Sequence, residues 1–231
     1  MKFELSDRDR QVVIMVSRLG QVSTMHLKTL LFADVNRISM DRCIKRLRDD
    51  KLIKRLGARA RGQSKGTPPS VYVLGPKGWW YLRRQGEYPS ITAIREHSLH
   101  IADIFTKLVE LDRAGTIKLL PATDIEHVVG NMRVDLYVDF GLPALSKRRP
   151  YYVEVQEHAR ADLIKQKLTA HWEAYENAQG GFYPEVAFVA RDDYLKWRIG
   201  RLMQPHHREL VTVYTLDEFL TAITAQKAGK Q

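Results

Sequence analysis

Apolar residues in the first third of the chain recur at helical spacing. Ser6, followed by Asp7 and Asp9, reads as a helix N-cap with acids near the positive end of the dipole. Val12, Val13, Met15, Val16 and Leu19 then form one face, and Gly20 ends the run. Ser23 opens a second short helix that carries Leu27, Leu30 and Leu31. Ser39 is the expected cap of a third, with Cys43, Ile44 and Leu47 pointing inward. The other face of that helix shows Asp41, Arg42, Lys45, Arg46 and Arg48. Residues 51–56 and 70–74 read as strands around a loop rich in Gly, Arg and Lys, and a helix begins near Trp79.

The pattern changes after Ser90. Residues 90–111 read as one long helix. Strand-like runs follow at 117–120, 125–129, 134–140 and 151–156, with Lys147–Pro150 as a basic hairpin turn. A helix at 161–177, a strand at 185–190, a helix at 192–203, a strand at 210–214 and a helix at 216–225 complete the chain. Hairpin strands followed by β-α-β alternation predict a mixed sheet with helices on its faces. The expected fold class is therefore α+β in two domains, 1–88 and 89–231.

Charge sharpens this division. The chain of 231 residues carries a net +10. Residues 1–90 hold 19 Lys/Arg against 8 Asp/Glu, or +11, and the remainder holds 18 against 19, or −1. Residues 37–65 alone hold 11 basic and 3 acidic side chains. Cations confined to one third of a chain form an electrostatic footprint for a polyanion. The single cysteine, Cys43, excludes an intrachain disulfide and a cysteine zinc site, and reads as core. The histidines lack zinc-ligand spacing, and neither a phosphate-binding glycine loop nor a Ser/His/Asp motif is visible. No apolar run reaches the ~18 residues of a membrane helix and no secretory segment opens the chain, so a cytoplasmic, nucleoid- or plasmid-associated protein is expected.

Three helices followed by a basic two-stranded ribbon resemble a winged helix-turn-helix, and SMDRCIKRLRDDKLIKRL is similar to its recognition helix and first wing strand. The resemblance implies double-stranded DNA as partner. Asp41, Arg42 and Lys45 are then candidates for base edges. Arg46, Arg48, Arg59, Arg61 and Lys65 are candidates for phosphates. Trp79, Trp80 and Tyr81 read as core or packing aromatics rather than base-stacking ones.

Period-two alternation in RVDLYVD puts Asp135, Tyr137 and Asp139 on one face, and YVEVQ puts Glu154 and Gln156 on one face. Pairing of these strands would bring Asp135 and Glu154 together beside Gln156. Such an oxygen-rich site suits Mg²⁺ or Mn²⁺. The arrangement resembles the PD-(D/E)xK nuclease fold, with Asp135 and Glu154 as its acids and metal ligands. Gln156 stands where that family has lysine, and Lys167 on the following helix is the substitute. The resemblance implies a catalytic set of Asp135, Glu154, Gln156 and Lys167.

Across most of the chain the order of segments is similar to the replication-relaxation family of plasmid and mobile-element proteins. It rests on the winged helix, EHSLHIADIFTKL, RVDLYVDF, YYVEVQEHARADLIKQKLTAHWEAY and PEVAFVARDDY. It implies a sequence-preferring duplex DNA-binding protein acting in replication, transfer or its regulation. The expected partners are a second copy of the chain and replication or conjugation proteins. A metal-dependent endonuclease or nickase, and a repressor with a C-terminal dimerisation domain, are the alternatives.

Overall fold

A computed structural model describes residues 4–59, 67–142, 147–178 and 181–225. Backbone packing divides the chain into two compact units, Met1–Thr106 and Lys107–Gln231. The molecule is of mixed α and β structure, with one antiparallel and one mixed sheet.

The first unit begins with α1 (Asp7–Leu19), whose first turn is capped by the Ser6 hydroxyl accepting from the Asp9 N–H. A short strand that the hydrophobic pattern does not reveal, β1 (Gln21–Ser23), comes next. Ser23 then caps α2 (Thr24–Leu31). Helix α3 (Arg37–Asp49) starts three residues earlier than expected. Its cap is Asn36, which accepts from the backbone of Ser39, so Ser39 lies within the first turn. Strands β2 (Ile53–Ala58) and β3 (Ser70–Leu74) complete an antiparallel sheet in the order β1-β3-β2. Helix α4 (Pro76–Tyr81) follows a turn that requires glycine. A Cβ on Gly75 would lie 2.3 Å from the Lys51 carbonyl oxygen, and one on Gly78 would lie 2.2 Å from that of Leu52. Val12, Val16, Leu27, Phe32, Ile44, Leu47, Leu52 and Val73 are among the buried core residues. The expected helix from Ser90 shortens to α5 (Glu96–Arg113).

Two carboxylates are buried or partly buried among cations in this unit. Asp9 accepts from Cys43 Sγ at 3.0 Å and from Arg46 at 2.6 Å. Asp103 accepts from Arg59 at 2.9 Å and pairs with His26 Nε2 at 2.7 Å. Burial alone would raise both carboxyls, but hydrogen bonds to Cys43 and Arg46 at Asp9, and to His26 and Arg59 at Asp103, hold them below the ordinary 3.8. The folded state therefore binds these protons less tightly than the unfolded chain. Their stabilisation is present above pH of about 4 and is lost as pH falls through the folded values. The midpoint of thermal unfolding should drop steeply below pH 4 in the wild type and more shallowly in D9N/D103N. Equal slopes would show that neither pair stabilises the fold. Burial, reinforced by Asp9, pushes the Cys43 thiol up to about 12, so it packs as a protonated core side chain.

Six strands among the described residues build the second unit. Strands β4 (Lys118–Leu119) and β5 (Asp124–Val129) both pair with β6 (Met132–Leu142), which is antiparallel to β7 (Lys147–Gln156). Helix α6 (Ala161–Asn177) leads to β8 (Glu185–Ala190), parallel to β7. Helices α7 (Asp193–Leu202) and α8 (His207–Leu210) lead to β9 (Val211–Thr215), parallel to β8 and last in the sheet. Helix α9 (Leu216–Thr224) closes the unit. The expected turn at Lys147–Pro150 is instead the start of β7, with Asp139 paired to Pro150 in the ladder. Arg148 grips the fully buried carboxylate of Asp139, which accounts for the strand beginning so early. Ile164, Leu168, Tyr152, Phe188, Leu195 and Ile199 share the main core cluster.

Candidate functional site

Two groups of predicted site residues are set out separately by the two units. In the first, Met40, Cys43, Ile44 and Leu47 bury one side of α3. The opposite side exposes Asp41, Arg42, Lys45, Arg46 and Arg48. These cations differ in how firmly they are held. Arg46 is bound to the buried Asp9, through two hydrogen bonds of 2.6 and 2.8 Å. Lys45 pairs with Asp49 at 2.7 Å and Asp41 with Arg37 at 3.6 Å, both exposed i,i+4 pairs worth at most about 0.5 kcal/mol. Among the described residues, no ion pair holds Arg42 or Arg48. Arg59 is largely buried, between Glu96 at 3.0 Å and Asp103 at 2.9 Å. Arg61 and Lys65 lie outside the described residues.

In the second unit, the β6–β7 register pairs Leu136 with Val153 and Tyr137 with Tyr152. Continuing that register sets Asp135 beside Glu154. The Val155 N–H donates to Asp135 Oδ2 at 2.9 Å. Lys167, rising from α6, donates to the same oxygen at 3.2 Å and also to Glu154 Oε2. Glu154 is fully buried and Asp135 largely so. The expected juxtaposition of Asp135, Glu154 and Lys167 is therefore present in the fold.

His171 completes the cluster and is absent from the set read in the sequence. Its Nε2 lies 3.0 Å from Glu154 Oε1 and its Nδ1 lies 3.1 Å from the Tyr183 hydroxyl. Lys167 and His171 are four residues apart on α6, a spacing that places both on one helix face. That spacing was the available signal. Tyr183 had none, because its contact depends on how the chain returns after α6.

The electrostatics follow from burial. Desolvation, with Asp135 adding repulsion, raises the Glu154 carboxyl; the His171 hydrogen bond and Lys167 oppose this without cancelling it. Burial pulls Lys167 down, but Glu154 and Asp135 outweigh it and raise the ammonium above its ordinary value. Lys167 is accordingly a charged internal cation shared by two carboxylates.

This donor set does not fit a divalent metal. Both Glu154 oxygens are already taken, one by an ammonium and one by imidazole. The Lys167 ammonium occupies the gap between the two acids where Mg²⁺ or Mn²⁺ would need to sit. The Gln156 Nε2 beside them is buried without a hydrogen-bond partner among the described residues. Among the described residues, no three His, Cys, Asp or Glu side chains are grouped as metal ligands. No helix among them is long and apolar enough to cross a membrane.

No curated protein and no solved structure matches the chain. A protein-family model described as replication-relaxation matches residues 15–139. That span runs from α1 through most of β6 and so contains α3 and Asp135, but ends before Glu154, Lys167 and His171. Covering more than half of the 231 residues, the match shows that the chain belongs to the replication-relaxation family.

Proposed function

We propose that this protein is a sequence-preferring binder of duplex DNA, acting on a plasmid or mobile element in replication, transfer or their regulation. The observation that carries the reading is the exposed, basic outer face of α3, with Arg42 and Arg48 in no ion pair among the described residues and Lys45 weakly held. In this reading the first unit is a winged helix-turn-helix, with α2 and α3 as the helix pair and β2–β3 as the wing. A helix of this kind fits the major groove, with its early exposed residues toward base edges and its later cations toward phosphates. Asp41, Arg42 and Lys45 are assigned to bases. Arg48 is assigned to phosphate, with Arg61 and Lys65, which lie outside the described residues. Arg46 and Arg59 also brace the fold, since each holds a carboxylate of the same unit.

We read the second unit, with its mixed sheet in the order β4-β6-β7-β8-β9, as a PD-(D/E)xK-like core of common origin with nucleases. Its two acids share the Lys167 ammonium, so its proposed role is assembly or regulation on DNA rather than metal-dependent cleavage.

The test is binding to duplex DNA as a function of salt. Four to six neutralised phosphates predict that log K falls against log[salt] with a slope of about −4 to −5. Salt-independent affinity for duplex would overturn the reading.

A further inference from the structure

We propose that the groove between α7 and the edge strand β9 binds single-stranded nucleic acid. The proposal is independent of duplex recognition by α3. Helix α7 turns Leu195 and Ile199 into the core. Its opposite stripe is Tyr194, Trp197, Arg198 and Arg201, at the i, i+3, i+4, i+7 spacing of one helix face. Both aromatics stay in solvent, Tyr194 at 62% and Trp197 at 56% exposure. Their ring centroids are 6.1 Å apart and tilted by 30°, close enough to parallel to take successive bases. Each ring is backed by an arginine, Arg198 at 5.9 Å from Tyr194 and Arg201 at 5.2 Å from Trp197. Aromatic faces interleaved with cations form the usual platform for unpaired bases and their phosphates.

Beside the stripe lies an open groove of about 780 Å³, lined by Trp197, Gly200, Arg201, Arg208, Thr212 and Val213, among others. Between Asp193 and Arg208 the chain places Arg198, Arg201 and Arg208 against one acid, Asp193, with Lys196 paired to Glu218, in a unit otherwise without surplus positive charge. That local sign matches a phosphodiester backbone. Gly200 gives a second, independent indication. A glycine inside a helix is unfavourable relative to alanine. Here a Cβ would meet nothing within 4 Å, so no neighbour in the fold requires the glycine. It leaves the groove floor open to a close approach from outside.

The full chain should bind fluorescein-labelled dT15 in anisotropy titrations at low salt. Trp197→Ala should weaken dT15 by about tenfold or more, the loss of one stacked base. Gly200→Leu, whose Cβ enters open space, should weaken it similarly without lowering the melting temperature. Both variants should keep wild-type affinity for duplex. R42A/K45A/R48A should keep wild-type affinity for dT15. Failure of the wild type to bind dT15, or equal affinity in both groove variants, would overturn the proposal. So would loss of self-association in sedimentation without any change in dT15 affinity, which would make this face a contact between copies.

Discussion

Removing the three outer cations of α3, as R42A/K45A/R48A, should lower affinity for cognate duplex by about 300-fold at 0.1 M salt. Arg42 and Lys45 are assigned to base edges, where each good contact is worth about 1–3 kcal/mol. At the lower bound of that range the two together account for about 30-fold. Arg48 is assigned to phosphate, and releasing one counterion's worth of binding at 0.1 M salt accounts for roughly another tenfold. Partial variants should separate the roles. Arg48→Ala should weaken cognate and unrelated duplexes alike and make the salt slope shallower by about 1. R42A/K45A should instead lose discrimination between them. All three side chains are exposed, so the melting temperature should hold nearly constant. Cognate affinity within twofold of wild type would remove α3 from the interface. Arg46→Ala should behave differently, costing stability because it strips the buried Asp9 of its cation.

Lys167→Met should destabilise the second unit by about 3–5 kcal/mol near pH 8. This is the penalty for leaving a buried carboxylate without its counter-charge. It is a large share of the 5–15 kcal/mol that domains usually possess. The loss should shrink as pH falls. Burial and Asp135 already raise the Glu154 carboxyl, and removing Lys167 raises it further. A carboxyl raised in the folded state takes up its proton there first, so stability is recovered as pH drops through the folded value. The double variant K167M/E154Q should restore most of the stability at pH 8, because it removes charge and keeps a polar partner for His171. Hydrogen exchange of β6, β7 and α6 at pH 5.5 and pH 8 would read this unit directly. Protection that is equal at the two pH values in Lys167→Met would show that the cluster is not electrostatically coupled. Loss of K167M/E154Q stability to the level of Lys167→Met would show the same.

Two residues set the chemistry of this cluster, Gln156 and Lys167. Where the nuclease-like pattern has lysine, the chain has Gln156, whose amide nitrogen is buried and unpartnered. The cation is delivered from α6, and a lysine on a helix above the sheet reaches between the acids rather than beside them. The same acids that would hold an ion then share one ammonium, which offsets part of their buried charge.

Much of this arrangement was legible in the residues alone. The 3.6-residue period of α3 separates Ile44 and Leu47 from Arg42, Lys45 and Arg48, because burial and charge sort by helix face. Alternation along β6 and β7 put Asp135 and Glu154 on matching faces, because strand side chains alternate with a period of two. The helical spacing of α6 also placed Lys167 over the sheet. What could not be read is partnership over long separations. Arg46 and Arg59 read as free cations until Asp9 and Asp103 come beside them in the fold, 37 and 44 residues away. Arg148 read as a turn residue until Asp139 drew it into a ladder. His171 read as an isolated histidine until Glu154 met it from the sheet below. Periodicity decides which face a side chain occupies, since that is set by local backbone geometry. Only the tertiary structure decides which opposite charge it meets, because buried ions are tolerated solely where the whole fold supplies a partner.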